Sequence, residues 1–208
     1  GEFLFPLLRH PEPKVQLILA GATLGPTTQK LVAQFMGEQS ALAKGTQEPL
    51  QQDVTHTFIG VQDTTGKEVA LARFIQKHKC KQAIVFVNRD NLISHLYRYL
   101  NEHGHKTLTL SRERSPRERK EAMEKMRSSE VKVLVVADAA ARGLDFTDVQ
   151  WVFHYDLPSS AQAYLHRAGR TGRGGQKGTS VALLTDKTRA LFKRFTKELN
   201  IRCKPFSA

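Results

Sequence analysis

The sequence has 208 residues, of which 40% are hydrophobic, so it can build one packed α/β domain and part of another. Lysine and arginine outnumber aspartate and glutamate by 32 to 20, and the net charge of +12 favours a polyanionic partner, above all nucleic acid. The same charge is also compatible with a role in solubility alone. No apolar run approaches the roughly 18 residues of a transmembrane helix, so we expect no membrane partner.

The two cysteines, Cys80 and Cys203, lie far apart in the chain and show no metal-ligand spacing. We therefore expect reduced thiols, no metal site, and an intracellular, reducing compartment, which is the cytoplasm, the nucleus or an organelle. Residues 1–3, GEF, are typical of a cloning remnant, in which case the native N-terminus would lie outside this sequence.

The first part of the chain predicts one strand and one helix before a linker. Residues 15–20 have the length and composition of a buried strand, and residues 27–36 have a helical pattern. Residues 38–53 are polar and irregular, which is typical of a linker. We therefore predict a boundary that separates residues 1–47, the remnant of one domain, from residues 48–208, a second domain.

After the linker, predicted strands and helices alternate. Short β-branched and aromatic runs predict strands, and apolar residues three or four positions apart predict helices. The predicted strands are 54–61, 82–87, 106–110, 131–136, 150–154 and 178–184, and the predicted helices are 67–78, 90–103, 116–127, 160–168 and 187–199. This alternation predicts a parallel sheet with helices on both faces. Ligands of such sheets bind beyond the carboxyl ends of the strands, so we expect chemistry in the loops there.

Three helices carry detailed predictions. Ser115 and Glu118 form a capping box at the start of the helix over 116–127. The helix over 90–103 is predicted to turn five apolar side chains to the core, namely Leu92, Ile93, Leu96, Tyr97 and Leu100. The helix over 160–168 is predicted to turn four inward, namely Ala161, Tyr164, Leu165 and Ala168.

Residues 164–175, YLHRAGRTGRGG, place three arginines at intervals of three residues between glycines. Arg167, Arg170 and Arg173 follow His166. The rigid fork of an arginine suits phosphate oxygens, and glycines allow the backbone to turn tightly and approach a ligand. This stretch therefore suits a phosphate held by another surface, whereas the alternative is a solvated basic loop.

Two further stretches follow predicted strands, at residues 88–90 and 137–146. In the second, Asp145 suits a hydrogen bond with a sugar hydroxyl, or else it bonds its own turn. The helix start over residues 112–120 carries five positive residues, which suit a phosphate partner or form a solvated face. Six other histidines show no ligand spacing and are assigned no chemistry.

Together these stretches resemble the motifs of the DEAD-box RNA helicases. Residues 138–145, DAAARGLD, resemble motif V, and residues 166–173, HRAGRTGR, resemble motif VI. Residues 84–88 resemble motif IV, residues 155–158 the YDLP sequence before motif VI, and residues 21–23 motif III. The pair of motifs V and VI is highly specific, and the resemblance covers essentially the whole chain in the family's order.

The resemblance implies the second RecA-like domain of such a helicase, preceded by the last strand–helix unit of the first. In this family, ATP lies between the two domains and single-stranded RNA crosses both. The expected partners are therefore single-stranded or structured RNA, the first RecA-like domain of the same protein, and a protein activator. Mg²⁺ is expected with ATP, held by ligands in the first domain rather than in this chain.

The same resemblance implies roles for individual residues. Arg170 and Arg173 would reach the γ-phosphate as arginine fingers, and His166 would couple the nucleotide site to the first domain. Gly143 and Asp145, with the two arginines, would contact ATP. The residues expected to contact RNA are Asn88, Arg89, Arg112, Arg119, Asp138 and Arg142.

The sequence departs from the family pattern in ways that leave an alternative open. No GxxxxGK[ST] and no Asp-Glu-Ala-Asp occurs, so this chain alone is expected to be inactive. Gly21 replaces a coupling serine, and Ala137, Arg112 and Pro116 replace residues of the usual RNA grip.

The leading interpretation is the C-terminal half of an ATP-dependent RNA helicase. The alternative is an RNA- or protein-binding module of a helicase-like protein with impaired ATP turnover. A DNA helicase of the same superfamily is less consistent with motifs V and VI.

Overall fold

The computed structural model describes residues 53–110, 115–141 and 149–206, together with Lys30. The chain divides into two units, Gly1–Glu48 and Pro49–Ala208, and the fold described below belongs to the second. The predicted strand over 15–20, the motif over 21–23 and, apart from Lys30, the predicted helix over 27–36 lie outside the described residues. The assignment of residues 1–47 to another domain therefore stays a prediction.

Seven described strands form one sheet in which every neighbouring pair is parallel. The strands are β1 (Val54–Gly60), β2 (Ala83–Val87), β3 (Thr107–Leu110), β4 (Val133–Ala137), β5 (Trp151–His154), β6 (Gly178–Leu184) and β7 (Cys203–Pro205). Their order across the sheet is β3-β4-β2-β5-β6-β1-β7. The described helices are α1 (Thr64–Lys77), α2 (Asp90–Glu102), α3 (Pro116–Arg127), α4 (Asp138–Ala141), α5 (Ala161–Ala168) and α6 (Asp186–Glu198).

The central strands are apolar along their whole length because both of their faces are covered. All five residues of β2 are buried. Successive side chains of a strand point to opposite faces, so Ile84 and Phe86 pack on one side of the sheet and Val85 and Val87 on the other.

Helices cover both faces of the sheet, which confirms the predicted architecture. On one face α1 and α2 pack through fully buried side chains such as Leu71 and Leu96. On the other face α3, α5 and α6 pack through Met126, Tyr164 and Phe195. Among the described helices, none is long and apolar enough to span a membrane.

Local signals in the sequence explain where two of these helices begin. The capping box predicted for α3 is present: the Glu118 N–H donates to Ser115 Oγ at 3.3 Å, and the Ser115 N–H donates to Glu118 Oε2 at 2.8 Å. Helix α5 begins with a similar cap, in which Ser160 Oγ accepts from the Ala163 N–H at 3.1 Å. Both caps satisfy backbone donors that have no partner within the helix.

The structure differs from the predictions in four places, two of them elements and two of them the burial of a side chain. Residues 138–141 form the one-turn helix α4 instead of a loop, which fits the helix propensity of three consecutive alanines. Strand β7 was not predicted, because it has three residues, ends in proline and lies at the sheet edge. Tyr97 was predicted to face the core but is 41% exposed, because it lies at the margin of the stripe centred on Leu96. Leu165, predicted inward, is half-buried.

Candidate functional site

Arg167 joins the carboxyl ends of three strands. It lies on the inward face of α5, and only 3% of it is exposed. Its Nε donates to Asp138 Oδ1 at 2.6 Å, and its Nη2 donates to Asp138 Oδ2 at 2.7 Å, which makes a bidentate ion pair. Nη2 also donates to Asn88 Oδ1 at 2.8 Å, and Nη1 donates to the Asp156 carbonyl at 2.7 Å. These bonds tie α5 to the residues that follow β2, β4 and β5.

Asp156 extends this network to α1 on the other face of the sheet. Its Oδ2 accepts from the Asn88 N–H at 3.1 Å, and its Oδ1 lies 3.4 Å from Lys67 Nζ. The Lys67 side chain is 7% exposed, and its ammonium also donates to the Tyr155 carbonyl at 2.6 Å. Buried charges are tolerated only when they are paired and hydrogen-bonded, as they are here. We call Lys67, Asn88, Asp138, Asp156 and Arg167 the strand-end clamp.

One side of the strand-end clamp borders solvent. The Asp138 side chain is 42% exposed, whereas Arg167 is covered by the Phe86 ring, whose centroid lies 5.2 Å from the guanidinium carbon. Because the bidentate arginine opposes the charge of Asp138, an anionic ligand can approach here without meeting an unpaired carboxylate.

A pocket of about 140 Å³ opens beside the clamp. Its lining residues come from β2, α4, α5 and the turn after α5; they are Phe86, Asp138, Ala141, Ala163, His166, Arg167 and Arg170. His166 is exposed and Arg170 is half-buried. The pocket therefore places an imidazole and a guanidinium above the solvent-facing side of the clamp.

His166, Arg170 and Arg173 form a row along α5 and the turn that follows it. His166 lies on α5, whereas Arg170 and Arg173 follow the last residue of the helix, Ala168. The Arg170 Nε donates to the His166 carbonyl at 3.3 Å, and the Arg173 Nε donates to the Gly169 carbonyl at 2.8 Å. Each guanidinium is thus oriented by the backbone one turn earlier. We call these three residues the α5 row.

The turn after α5 packs against the opposite, amino-terminal edge of the sheet. Gly172 has a φ of 69°, and a Cβ at this position would lie 2.5 Å from Val54 Cγ2, so only glycine fits without strain. The Thr171 hydroxyl donates to the Val149 carbonyl, just before β5. The arginine stretch was expected among the loops at the carboxyl edge. It instead runs from that edge to the other, because α5 is antiparallel to the strands.

The structure brings some of the predicted site residues together and leaves others apart. Asn88 and Asp138 meet in the strand-end clamp, next to the α5 row. Arg89 is exposed just before α2, and Arg119 is half-buried in the first turns of α3. The predicted nucleotide contacts Gly143 and Asp145, and the predicted RNA contacts Arg112 and Arg142, lie outside the described residues.

Asp156 and Lys67 were not predicted as site residues, and Arg167, predicted in a stretch that suits a phosphate, is instead buried and paired with Asp138. A signal for Arg167 was present, because it lies three residues after Tyr164 and therefore on the inward face of α5. No local pattern marks Lys67, which follows the exposed Thr65 and the cap of α1.

A second missed feature is a row of buried polar side chains beneath α5. His56 Nδ1 lies 2.9 Å from Tyr164 Oη, which lies 3.2 Å from Ser180 Oγ, and that hydroxyl lies 3.0 Å from His154 Nε2. Burial lowers the pKa of His56 to about 4. Burial also lowers the pKa of His154 well below its ordinary value, and the nearby positive charge of Arg167 adds to this effect. Both rings are therefore neutral at neutral pH.

The two thiols add no reactive group to this site. Cys80 and Cys203 are free, and burial raises the pKa of each thiol to about 12, so neither is a reactive thiolate. Within the described ranges, no group of three or more metal-ligating side chains comes together.

Comparisons with known proteins agree with this geometry. The helicase conserved C-terminal domain family matches residues 66–175. The ATP-dependent RNA helicase SrmB of Haemophilus influenzae is 41% identical over 132 residues, which cover 62% of this chain and 30% of that protein. The chain spans less than half the length of the curated relatives it matches, between 30% and 46%.

Solved structures show the same fold. The E. coli DEAD-box protein SrmB, bound to the regulator of ribonuclease activity A, matches with a TM-score of 0.72 and 30% identity over 76% of this chain and 93% of that one. S. cerevisiae Dbp5 bound to RNA and ADP BeF3 matches with a TM-score of 0.81 and 25% identity over 93% of this chain and 52% of that one.

The sheet order, the helix-borne arginines and these matches define a helicase C-terminal domain of the RecA-like α/β class. The chain belongs to the DEAD-box RNA helicase family, and the fold described above is the C-terminal RecA-like domain of that family.

Proposed function

We propose that this chain is the C-terminal half of an ATP-dependent RNA helicase and that Arg170 and Arg173 act as its arginine fingers. The observation that carries the proposal is the strand-end clamp, in which the side chain of Arg167 is buried and anchors α5. This anchoring holds α5 in place, and the carbonyls of His166 and Gly169 then orient the guanidinium groups of Arg170 and Arg173 through hydrogen bonds. Charge that develops on a transferred phosphoryl group is stabilised by such pre-oriented donors.

The ATP site is completed by another domain. Arg170 and Arg173 would hold the terminal phosphate, His166 would couple the site to the first RecA-like domain, and Gly143 and Asp145 would hold the ribose side. The described residues bring no group of three or more metal-ligating side chains together, and we assign the ligands of Mg²⁺ to the first domain because the family resemblance implies it. When bound, Mg²⁺ supplies charge neutralisation of the phosphates.

The RNA surface lies at the carboxyl edge of the sheet. Asn88 and Arg89 follow β2 there, Asp138 follows β4, and the basic start of α3 with Arg119 lies at the same edge, because α3 is antiparallel to the strands. The Asn88 side chain is used within the clamp, so we assign it to positioning the loop, and Arg89 and Arg119 to phosphate contacts. Arg112 and Arg142, which lie outside the described residues, are assigned to RNA on the family resemblance alone.

Protein partners of this domain are part of the proposal. The solved structure of E. coli SrmB, whose chain this one covers almost completely, contains a bound regulator protein. By analogy, an activating or regulating protein would contact this domain outside the α5 row.

The composite ATP site has a direct test. The 208-residue chain should release no phosphate from ATP above a buffer control, with or without RNA. A polypeptide in which a P-loop ATP-binding domain precedes this chain, which we call the P-loop fusion, should release phosphate from ATP, and RNA should stimulate this release. Phosphate release by the purified chain alone, with contaminating ATPase excluded, would contradict the proposal.

The RNA surface is tested by a salt titration of the chain with a labelled single-stranded RNA. Each phosphate neutralised contributes about −0.7 to the slope of log affinity against log salt. Replacing Arg112, Arg114 and Arg119 by alanine should flatten that slope and weaken all RNA sequences equally. A control with Lys187, Lys193 and Arg194 of α6 replaced by alanine removes the same charge at exposed positions elsewhere. If the two triple variants had equal effects, the assignment of RNA binding to the carboxyl edge would be wrong.

The second candidate function, an RNA- or protein-binding module with impaired turnover, is favoured by Ala137. This residue ends β4 directly before Asp138 and lacks the hydroxyl that the family uses on an RNA phosphate. Ala137→Thr should restore one hydrogen bond, of about 0.5–1.5 kcal/mol, to RNA binding. If the variant also raises RNA-stimulated ATP turnover in the P-loop fusion, the unmutated chain is a domain of reduced coupling; unchanged turnover would favour a competent helicase.

A further inference from the structure

A groove of about 520 Å³ lies at the amino-terminal edge of the sheet, opposite the strand-end clamp. Three turns form it, each leading from a helix into a strand: α1 into β2, α2 into β3 and α3 into β4. Each turn contains one residue in the left-handed region, namely Lys79, Gly104 and Ser129. We call this the amino-edge groove.

The amino-edge groove is basic. Lys79 and Lys81 come from the first turn, His103 from the second and Lys132 from the third. All four side chains are exposed, and none of the three lysines makes an ion pair with a described residue. No carboxylate lines the groove among the residues that the structure describes.

The helix ends around the groove do not cancel this charge. Helix carboxyl termini carry a partial negative charge of about one half each, so three termini offset about half of the three lysine charges. The final carbonyls are also bonded within the turns: the Cys80 N–H donates to the Ile75 carbonyl at 3.1 Å, and the His105 N–H donates to the Leu100 carbonyl at 2.9 Å. The groove therefore keeps a net positive charge and offers ammonium donors rather than carbonyl acceptors.

We propose that the amino-edge groove binds a compact polyphosphate, a small molecule with adjacent phosphate groups. Three ammonium groups reach it from three separate turns, so they converge on a concave space instead of following one line along a backbone. Its volume lies within the range of small-molecule sites, about 300–1,000 Å³. Gln76 and Ser129 add neutral polar groups to the wall. Neither the ATP site nor the RNA surface proposed above uses any of these residues.

Inorganic tripolyphosphate is the probe for this site, titrated into the 208-residue chain without Mg²⁺ at fixed ionic strength. Calorimetry measures the affinity and stoichiometry. Trp151, the single tryptophan of the chain, gives a second signal, because its indole ring lies 6.0 Å, centroid to centroid, from the ring of His78, the residue before Lys79. We expect one site per chain, and weaker binding of inorganic phosphate.

The decisive comparison is between two double variants of equal charge. Lys81→Gln with Lys132→Gln should weaken tripolyphosphate binding by about tenfold or more, because charge-assisted hydrogen bonds are lost. Lys187→Gln with Lys193→Gln, on the exposed side of α6, should leave it within about twofold. Equal weakening in both variants, or no binding to the unmutated chain, would overturn the proposal.

Two other outcomes would also overturn it. The unmutated chain could fail to bind tripolyphosphate while the groove variant loses affinity for RNA or for an acidic peptide. The ligand of the groove would then be a macromolecule. If the groove variant were less stable but bound tripolyphosphate unchanged, the role of the lysines would be to stabilise the helix termini.

Discussion

Acidification should destabilise this domain through His56. The ring is buried, and its pKa falls from 6.5 in the unfolded chain to about 4 in the folded one. As the pH falls, the unfolded chain takes up a proton on this ring first. The contribution of His56 to the free energy of unfolding is therefore fully present above pH 6.5 and is lost as the pH falls from 6.5 to 4. Below pH 4 both states are protonated, and the loss from this group is complete.

The size of this effect follows from the two pKa values. One unit of pKa difference corresponds to about 1.4 kcal/mol, so the free energy of unfolding should fall by about 2 kcal/mol between about pH 8 and pH 5 through His56 alone. His154 changes stability in the same direction, because burial also lowers its pKa.

Urea unfolding followed by Trp151 fluorescence measures this effect in the whole chain, because the only tryptophan lies in β5 of this domain. His56→Asn places an amide near the position of Nδ1 and removes the titrating group. The variant should lose about 2 kcal/mol less than the unmutated chain over the same pH range. Measurements at low and high salt separate the effect of His56 from the general charge repulsion expected of a net charge of +12, because salt screens that repulsion. Parallel curves of stability against pH for the two proteins would refute the reasoning.

Three further predictions concern stability, measured by the same unfolding assay. Arg167→Ala should cost about 3 kcal/mol, because it leaves a paired carboxylate and two other acceptors without their donor; a cost below about 1 kcal/mol would show that the clamp does not hold α5. Gly172→Ala should cost about 2 kcal/mol or more, and Gly174→Ala less, since both have positive φ but only the first would meet a neighbouring atom; equal costs would contradict this. Leu96→Ala should cost about 3 kcal/mol and Tyr97→Ala clearly less, because Leu96 is fully buried and Tyr97 is 41% exposed; the reverse order would contradict the burial.

The fold was predictable because its signals are local. Strands such as β2 and β4 are continuous apolar runs, and the start of α3 is set by a capping box between Ser115 and Glu118, three residues apart. The alternation of these elements then requires parallel pairing with crossover helices. The elements that were missed, α4 and β7, are too short for a periodic pattern to show.

The site was predictable only in part, because its contacts join distant segments. The three arginines of residues 164–175 have the same local surroundings, yet Arg167 is buried and Arg173 is exposed. The partners of Arg167 are distant in the sequence: Asp138 lies 29 positions away and Asn88 lies 79 positions away. They meet Arg167 only because the order of the strands brings their carboxyl ends together. The bond between His56 and Tyr164 spans 108 positions and left no pattern in the sequence.

The central claim, that the α5 row supplies arginine fingers, is tested most directly by single-turnover ATP hydrolysis in the P-loop fusion with saturating RNA. Arg173→Ala should slow hydrolysis roughly 10³-fold while ATP binding is largely retained, because the finger acts on charge that develops in the transition state. Arg202→Ala is the matched control: it removes the same charge at an exposed position just before β7 and should leave the rate unchanged. Hydrolysis by Arg173→Ala at the rate of the unmutated fusion would contradict the account.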